Sequence, residues 1–221
     1  MYELDWSVLW QYRNVFLQGL QMTLKVSLVS TVIAIIIGII MGIMRLSKIK
    51  FIQAIAYVYV EIIRNTPLLV QLYVIYFGIG NFINYQTNFW PAVAGLSIFA
   101  GSYVTEIVRA GIQSVARGQQ EAALSVGMTE GQAMRLVILP QAMMKILPPL
   151  AGQFITLIKD SSLVSFLALT DITFAARKIT ASTFRPLEVY VGAALLYFVL
   201  TATLSQGVAL LERRTARSAG R

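Results

Sequence analysis

The chain has 221 residues, 57% of them hydrophobic and 13% charged, with a mean hydropathy of +0.70 and a formal net charge of +8. Soluble domains carry about 25% charged residues, so this composition excludes an ordinary soluble protein and puts the chain in lipid. Cysteine and histidine are both absent, which removes thiol and imidazole catalysis, disulfide frameworks and the common zinc ligand sets; no catalytic residue, metal site or cofactor is expected within the chain.

A bilayer core about 30 Å thick takes about 20 apolar residues per helical crossing, so the predicted fold is an all-α, polytopic helical membrane protein of five spans forming one transmembrane domain over residues 1–221. Residues 1–13 carry Glu3, Asp5 and Trp6 instead of a basic lead into a cleavable core, so the first apolar run is expected to persist in the mature protein. That run, 20–44, is the first span, closed by the basic residues Arg45, Lys48 and Lys50. The second, 51–83, is too long for one straight crossing and is interrupted by Glu61, Arg64 and Asn65-Thr66-Pro67. A helix that breaks and restarts is expected, with Thr66 as a cap and Pro67 in the first turn, where its missing N–H costs nothing. The third span is 90–108 and contains Glu106.

Apolar density then falls. Residues 112–140 mix Arg117, Glu121, Glu130 and Arg135 with Ala, Leu, Val and Met, which marks a cytoplasmic helical loop. The fourth span, 141–169, is interrupted at Lys159-Asp160-Ser161-Ser162, and the depth of that interruption is open. Residues 171–185 read as an extramembrane helix or loop before the fifth span, 187–211, and a basic tail. With the N-terminus outside, eleven basic residues lie on the inner side (Arg45, Lys48, Lys50, Arg109, Arg117, Arg135, Lys145, Arg213, Arg214, Arg217, Arg221) and four outside (Arg13, Arg177, Lys178, Arg185). That asymmetry predicts N-out and C-in. The basic residues form no aromatic-interleaved patch, so nucleic acid is not an expected partner.

The loop holds Glu121-Ala122-Ala123, Gly127 and Leu139-Pro140. The expected structure is two short helices joined at Gly127, which tolerates the positive φ of a helix C-terminus, with Pro140 opening the next helix. Ala122 and Ala123 permit close approach by another surface, and Glu121 adds a charge beside them. This pattern resembles the EAA loop of permease subunits of type I ABC importers: Glu-Ala-Ala, three residues, Gly, nine residues, Ile, one residue, Leu-Pro, with Val137 in the Ile position. The runs 64–71, 106–111 and 159–163 are similar to landmarks of the polar-amino-acid branch, from which Asn65 and Ser161 depart in place of Gly and Thr. The resemblance implies a permease that pairs with a second permease subunit, a dimer of ATPase subunits holding ATP and Mg, and an extracytoplasmic solute-binding protein. It also implies a location in the bacterial inner membrane and alternating access for a polar amino acid. Residues Glu121, Ala122, Ala123, Gly127, Leu139 and Pro140 would then carry the ATPase coupling. The chain lacks a GxxxxGK[ST] phosphate loop, so hydrolysis would belong to the partner.

Candidates for the solute path are Arg64, Thr66, Pro67, Gln71, Glu106, Asp160, Ser161 and Ser162. An acid near apolar spans is expensive to keep unless it is paired or faces water. Glu106 and Asp160 could therefore bind a substrate ammonium, or pair with Arg109 and Lys159. Arg64 could meet a substrate carboxylate or anchor at headgroups, while Glu61, three positions away, is read as its neutralising partner. Thr66, Pro67 and Gln71 fit a capped helical restart equally well. A nucleotide-independent secondary transporter or channel is the alternative that acidic residues near spans would also suit.

Overall fold

The computed structural model describes residues 4–80 and 87–219. Glu3 of the leading segment, the end of the second predicted span at 81–83, the polar segment at 84–86 and Arg221 of the inner charge count lie outside the described residues. The helices are α1 (Ser7–Gln11), α2 (Arg13–Arg45), α3 (Lys50–Arg64), α4 (Leu68–Gly80), α5 (Phe89–Gln113), α6 (Arg117–Ser125), α7 (Glu130–Ala133), α8 (Leu139–Asp160), α9 (Ile172–Thr183) and α10 (Pro186–Ala219). A π turn at Met134–Ile138 joins α7 to α8, and a 3-10 helix at Ser161–Leu167 follows α8.

The central contact is α2 against α5, laid parallel. Small residues make it possible: Ser27, Ser30, Ala34, Gly38 and Gly42 of α2 are buried, while Leu24, Leu28, Val32, Ile36 and Ile43 on the same helix are exposed. Small-inside and large-outside is the signature of a helix packed in lipid, where close backbone approach replaces the hydrophobic drive. A Cβ on Gly38 would collide with the Val104 side chain, so the residue is fixed by proximity. Ser30 donates to the Val93 carbonyl at 3.5 Å and Ser97 to the Ser30 carbonyl at 3.3 Å, bonds that cross the seam, while the buried Ser27 hydroxyl has no partner in the protein.

Among the described residues, α2, α5 and the 186–209 part of α10 are long and apolar enough to cross a membrane, and α3 with α4 form a fourth unit bent by 108°. Helix α8, 22 residues or about 33 Å long, is less apolar because it carries Lys145, Gln153, Lys159 and Asp160. It runs antiparallel to α5, with Ile146 seated at Gly111. One end of the bundle thus gathers Arg45, Lys48, Arg109, Lys145 and the α6–α7 loop, and the other gathers Arg13, α9 and Arg185. At that second end Asp171 caps α9, accepting from the Thr173 and Phe174 amides and from the Tyr197 hydroxyl.

Pro140 stands in the first turn of α8, as expected, but no break precedes it and the chain does not leave the helix to restart there. The π turn lets the Leu139 amide reach the Met134 carbonyl, so the ladder widens by one residue just before the proline, which has no N–H to give, and runs on into α8. Thr66 does not cap the start of α4 either; its hydroxyl turns back to the Ile62 carbonyl at 2.9 Å and closes the end of α3.

Candidate functional site: a side cavity and a glycine-turned loop

A cavity of about 510 Å³ opens between the end of α3, the C-terminal half of α5 and α8, lined by Arg64, Tyr103, Glu106, Ser114, Lys145 and Gln153 among others. Its geometry follows from the kink. Gln71, at the start of α4, donates to the carbonyls of Ile63 and Thr66 at 2.7 and 3.0 Å and to the Thr66 hydroxyl at 2.6 Å. Those bonds satisfy backbone groups freed by the break, which in lipid would otherwise cost several kcal/mol each. The break leaves Arg64 at the tip of α3 with its guanidinium 5.0 Å from the Tyr103 ring centroid, a cation–π contact. Glu61 is not its partner: the Glu61 carboxylate accepts from the Asn65 amide at 3.0 Å.

Glu106 meets arginines on both oxygens. Arg45 donates to one at 3.3 Å and Arg109 to the other at 2.7 Å, and Arg45 also lies over the Tyr57 ring. Lys145 reaches the Ser114 carbonyl at 2.7 Å and has no ion pair among the described residues. The cavity wall therefore carries Arg64 and Lys145 as cations whose charge is not matched, beside an acid that is.

The structure brings Arg64 and Glu106 into one wall, and does not bring Thr66, Pro67, Gln71, Asp160, Ser161 or Ser162 into it. Thr66 and Gln71 tie the kink, and Ser161 is buried, donating to the Ile158 carbonyl at 2.7 Å. Asp160 is half-buried at the end of α8, about 22 Å along the helix from Lys145. It nonetheless shares a side with the cavity: Lys145, Pro149, Gln153, Thr156 and Asp160 recur at helical spacing on α8. Lys145 and Gln153 were not singled out from sequence, although this spacing is the signal that would have found them.

At the same end of the bundle stands the loop. Helix α6 ends in a Schellman arrangement, the Gly127 amide bonding the Leu124 carbonyl at 3.0 Å and the Met128 amide the Ala123 carbonyl at 3.2 Å. Gly127 has φ of +87° and no heavy atom within 4 Å of a notional Cβ; its need for glycine is conformational, not steric. Thr129 then opens α7 in a capping box with Gln132. Glu121 and Ala122 are exposed, together with Leu124 and Val126, whereas Ala123 is buried. Neighbours on a helix point about 100° apart, so Ala123 packs the loop's own interior and only Ala122 of the pair is offered outward. Leu139 and Pro140 are exposed at the first turn of α8. Lys48, from the link between α2 and α3, pairs with Glu130 at 2.8 Å and holds its carboxyl below the usual range.

A bundle of lipid-facing helices with a kinked span, a charged cavity on an open side and a preformed loop at one end defines a helical membrane permease. The chain belongs to the family described as binding-protein-dependent transport system inner membrane component, matched over residues 34–217. It is 39% identical to the probable glutamine ABC transporter permease protein GlnM of Bacillus subtilis (strain 168), over 96% of this chain and 98% of that one. It is 38% identical to the glutamate/aspartate import permease protein GltK of Escherichia coli O157:H7, over 98% and 100% respectively. Among solved structures it is similar to an amino acid ABC transporter crystallised with histidines, at 43% identity, 96% and 100% coverage and a TM-score of 0.92. A methionine transporter, MetNI in an inward-facing form, shares the fold at 18% identity and a TM-score of 0.79. The chain is therefore a permease subunit of an ABC importer, an inner-membrane protein of the type I fold, and the nucleotide-independent reading falls away.

Proposed function

We propose that this permease carries polar amino acids inward, with its N-terminus outside and its C-terminus in the cytoplasm. The observation that carries the substrate class is the cavity wall: Arg64 and Lys145 are matched to a carboxylate, and Tyr103, Gln153 and Ser114 give polar groups around it. The carboxylate is common to all amino acids, which fits relatives named for glutamine, arginine and glutamate/aspartate import. Asp160, further along the same side of α8, has no arginine on it among the described residues, and it takes the ammonium as the solute moves.

In this reading the loop of residues 112–140 is the coupling element. Glu121, Ala122, Gly127, Leu139 and Pro140 form or shape its outer surface, Ala123 stiffens it from within, and a dimer of ATPase subunits grips it. ATP and Mg are held by those partners, this chain being no hydrolase itself. A second permease subunit closes the open side of the cavity, and a solute-binding protein delivers cargo from outside. Closure of the ATPases moves the loops, the helices rock, and the cavity changes the side it faces. The bias of basic residues toward the loop end supports the orientation.

The test is ATPase activity of the reconstituted complex across a panel of amino acids presented with the binding protein. Stimulation by one or more polar amino acids, lost in Arg64→Gln, is the expected result. Stimulation by sugars or metal ions alone, or an Arg64→Gln complex with unchanged half-saturation, would overturn the assignment.

A further inference from the structure

At the end of the bundle away from the coupling loop, α9 and the start of α10 border an open surface cavity of about 470 Å³, lined by Phe174, Arg177, Lys178, Thr180, Ala181 and Tyr190. Nothing in the transport cycle above uses it. Two of its lining groups are cations and none is an acid. Arg177 is fixed in place: it donates to the Ser165 carbonyl at 3.2 Å and lies 5.5 and 6.0 Å from the Phe166 and Phe174 ring centroids. Lys178 is exposed, with no ion pair among the described residues. The Thr180 hydroxyl is buried and has no hydrogen-bond partner in the protein. Two cations and an orphaned hydroxyl are a donor set for an anion with several acceptor oxygens.

What lies below the cavity says which anion. Along α10, Leu187, Tyr190, Ala194 and Phe198 recur at helical spacing and are all exposed. From the cavity's Tyr190 to Phe198 this stripe runs 8 residue steps, about 12 Å, most of one leaflet of a core about 30 Å thick. A cationic head above an apolar strip of that length has the shape and polarity of a phospholipid. A soluble protein would reach the cations but not the strip.

We propose that this cavity is a site for an anionic glycerophospholipid: Arg177, Lys178 and the Thr180 hydroxyl hold the phosphate, and an acyl chain lies on the α10 stripe. The site is independent of the solute carried, so its failure and that of the substrate assignment are distinguishable.

The test uses the full chain in its assembled complex, in nanodiscs of mixed phosphatidylglycerol and phosphatidylcholine, with retained lipid counted by native mass spectrometry. Wild type should retain phosphatidylglycerol preferentially. Lys178→Gln, an exposed substitution, should lower that retention about fivefold, the effect of one cation near a membrane surface, with phosphatidylcholine unchanged. Thr180→Val, nearly the same shape, should lower it as well. Equal retention of both lipids by wild type, or undiminished phosphatidylglycerol in both variants, would overturn the proposal. Displacement of the lipid by millimolar inorganic phosphate would refute the lipid and assign the cavity to a free anion. Protection of Lys178 from acetylation by the soluble binding protein, with no lipid effect, would refute it in favour of a protein contact.

Discussion

Gly127 offers the sharpest perturbation, because its φ of +87° is unaccompanied by any steric demand: no heavy atom lies within 4 Å of where a Cβ would sit. Replacement by alanine therefore acts through the backbone alone. The left-handed region costs an L-residue about 1–2 kcal/mol, a factor of about 5–30 in the population of the turn. Asparagine tolerates that region better, its polar side chain bonding locally. Proline, locked near φ −65°, cannot adopt it at all and also removes the Gly127 amide that bonds Leu124. The expected order of substrate-stimulated ATP hydrolysis by the reconstituted complex is wild type, then asparagine, then alanine, then proline near zero. Insertion in the membrane should be equal for all four, since α6 is outside the bundle. If alanine equals wild type, or asparagine is as poor as proline, the reasoning from φ to coupling is wrong.

Gly38→Val should destabilise the protein by about 1–3 kcal/mol through overpacking against Val104, read as a lower Tm in detergent, with partial recovery in the double variant with Val104→Ala. Gln71→Leu strips three bonds from the kink and should cost about 1–3 kcal/mol, seen as faster hydrogen exchange confined to the α3–α4 break. Asp171→Ala should cost about 1 kcal/mol as a lost helix cap, and Asp171→Asn less. Burial raises the Asp171 carboxyl from 3.8 to about 6, so the folded state holds a proton the unfolded state releases. Stability from this group is complete below the unfolded value and is lost as pH rises toward 6; a pH series of Tm values should show that slope in wild type and not in the asparagine variant.

The break at Asn65-Thr66-Pro67 was legible because a proline behind a polar pair, set inside an apolar run, withdraws a backbone donor where a continuous helix needs one. The glycine turn was legible because Gly127 sits where a helix must stop. The polar side of α8 was not, since Pro148 and Pro149 and the apolar residues between Lys145 and Asp160 hide a stripe that only the helical spacing reveals. The Glu61–Arg64 pair failed for a different reason. Sharing a helix face makes contact possible, but the break at Asn65 puts a competing donor beside Glu61 and a ring beside Arg64. Local spacing cannot rank partners that tertiary structure supplies. The same limit applies to Glu106, whose second arginine comes from α2, 61 positions away.

How the loop is joined to the cavity can be decided by magnitude. One link is the Lys48–Glu130 pair, short at 2.8 Å but with side chains 83% and 66% exposed; water screens such a pair and salt weakens it further. The other is the buried cluster of Val104, Val108, Val115, Ile138, Ala142 and Ile146, in which a fully buried branched side chain contributes about 1.5–3 kcal/mol. Ile138 ends the π turn and Ile146 sits in the space left by Gly111 on α5, so this cluster runs without interruption from the loop to the helix that carries Glu106. A displacement of the loop is resisted by that buried packing more than by the screened surface pair. Breaking the pair with Lys48→Ala should therefore leave coupling near wild type. Filling the Gly111 space should uncouple ATP hydrolysis from uptake while every charged group remains in place.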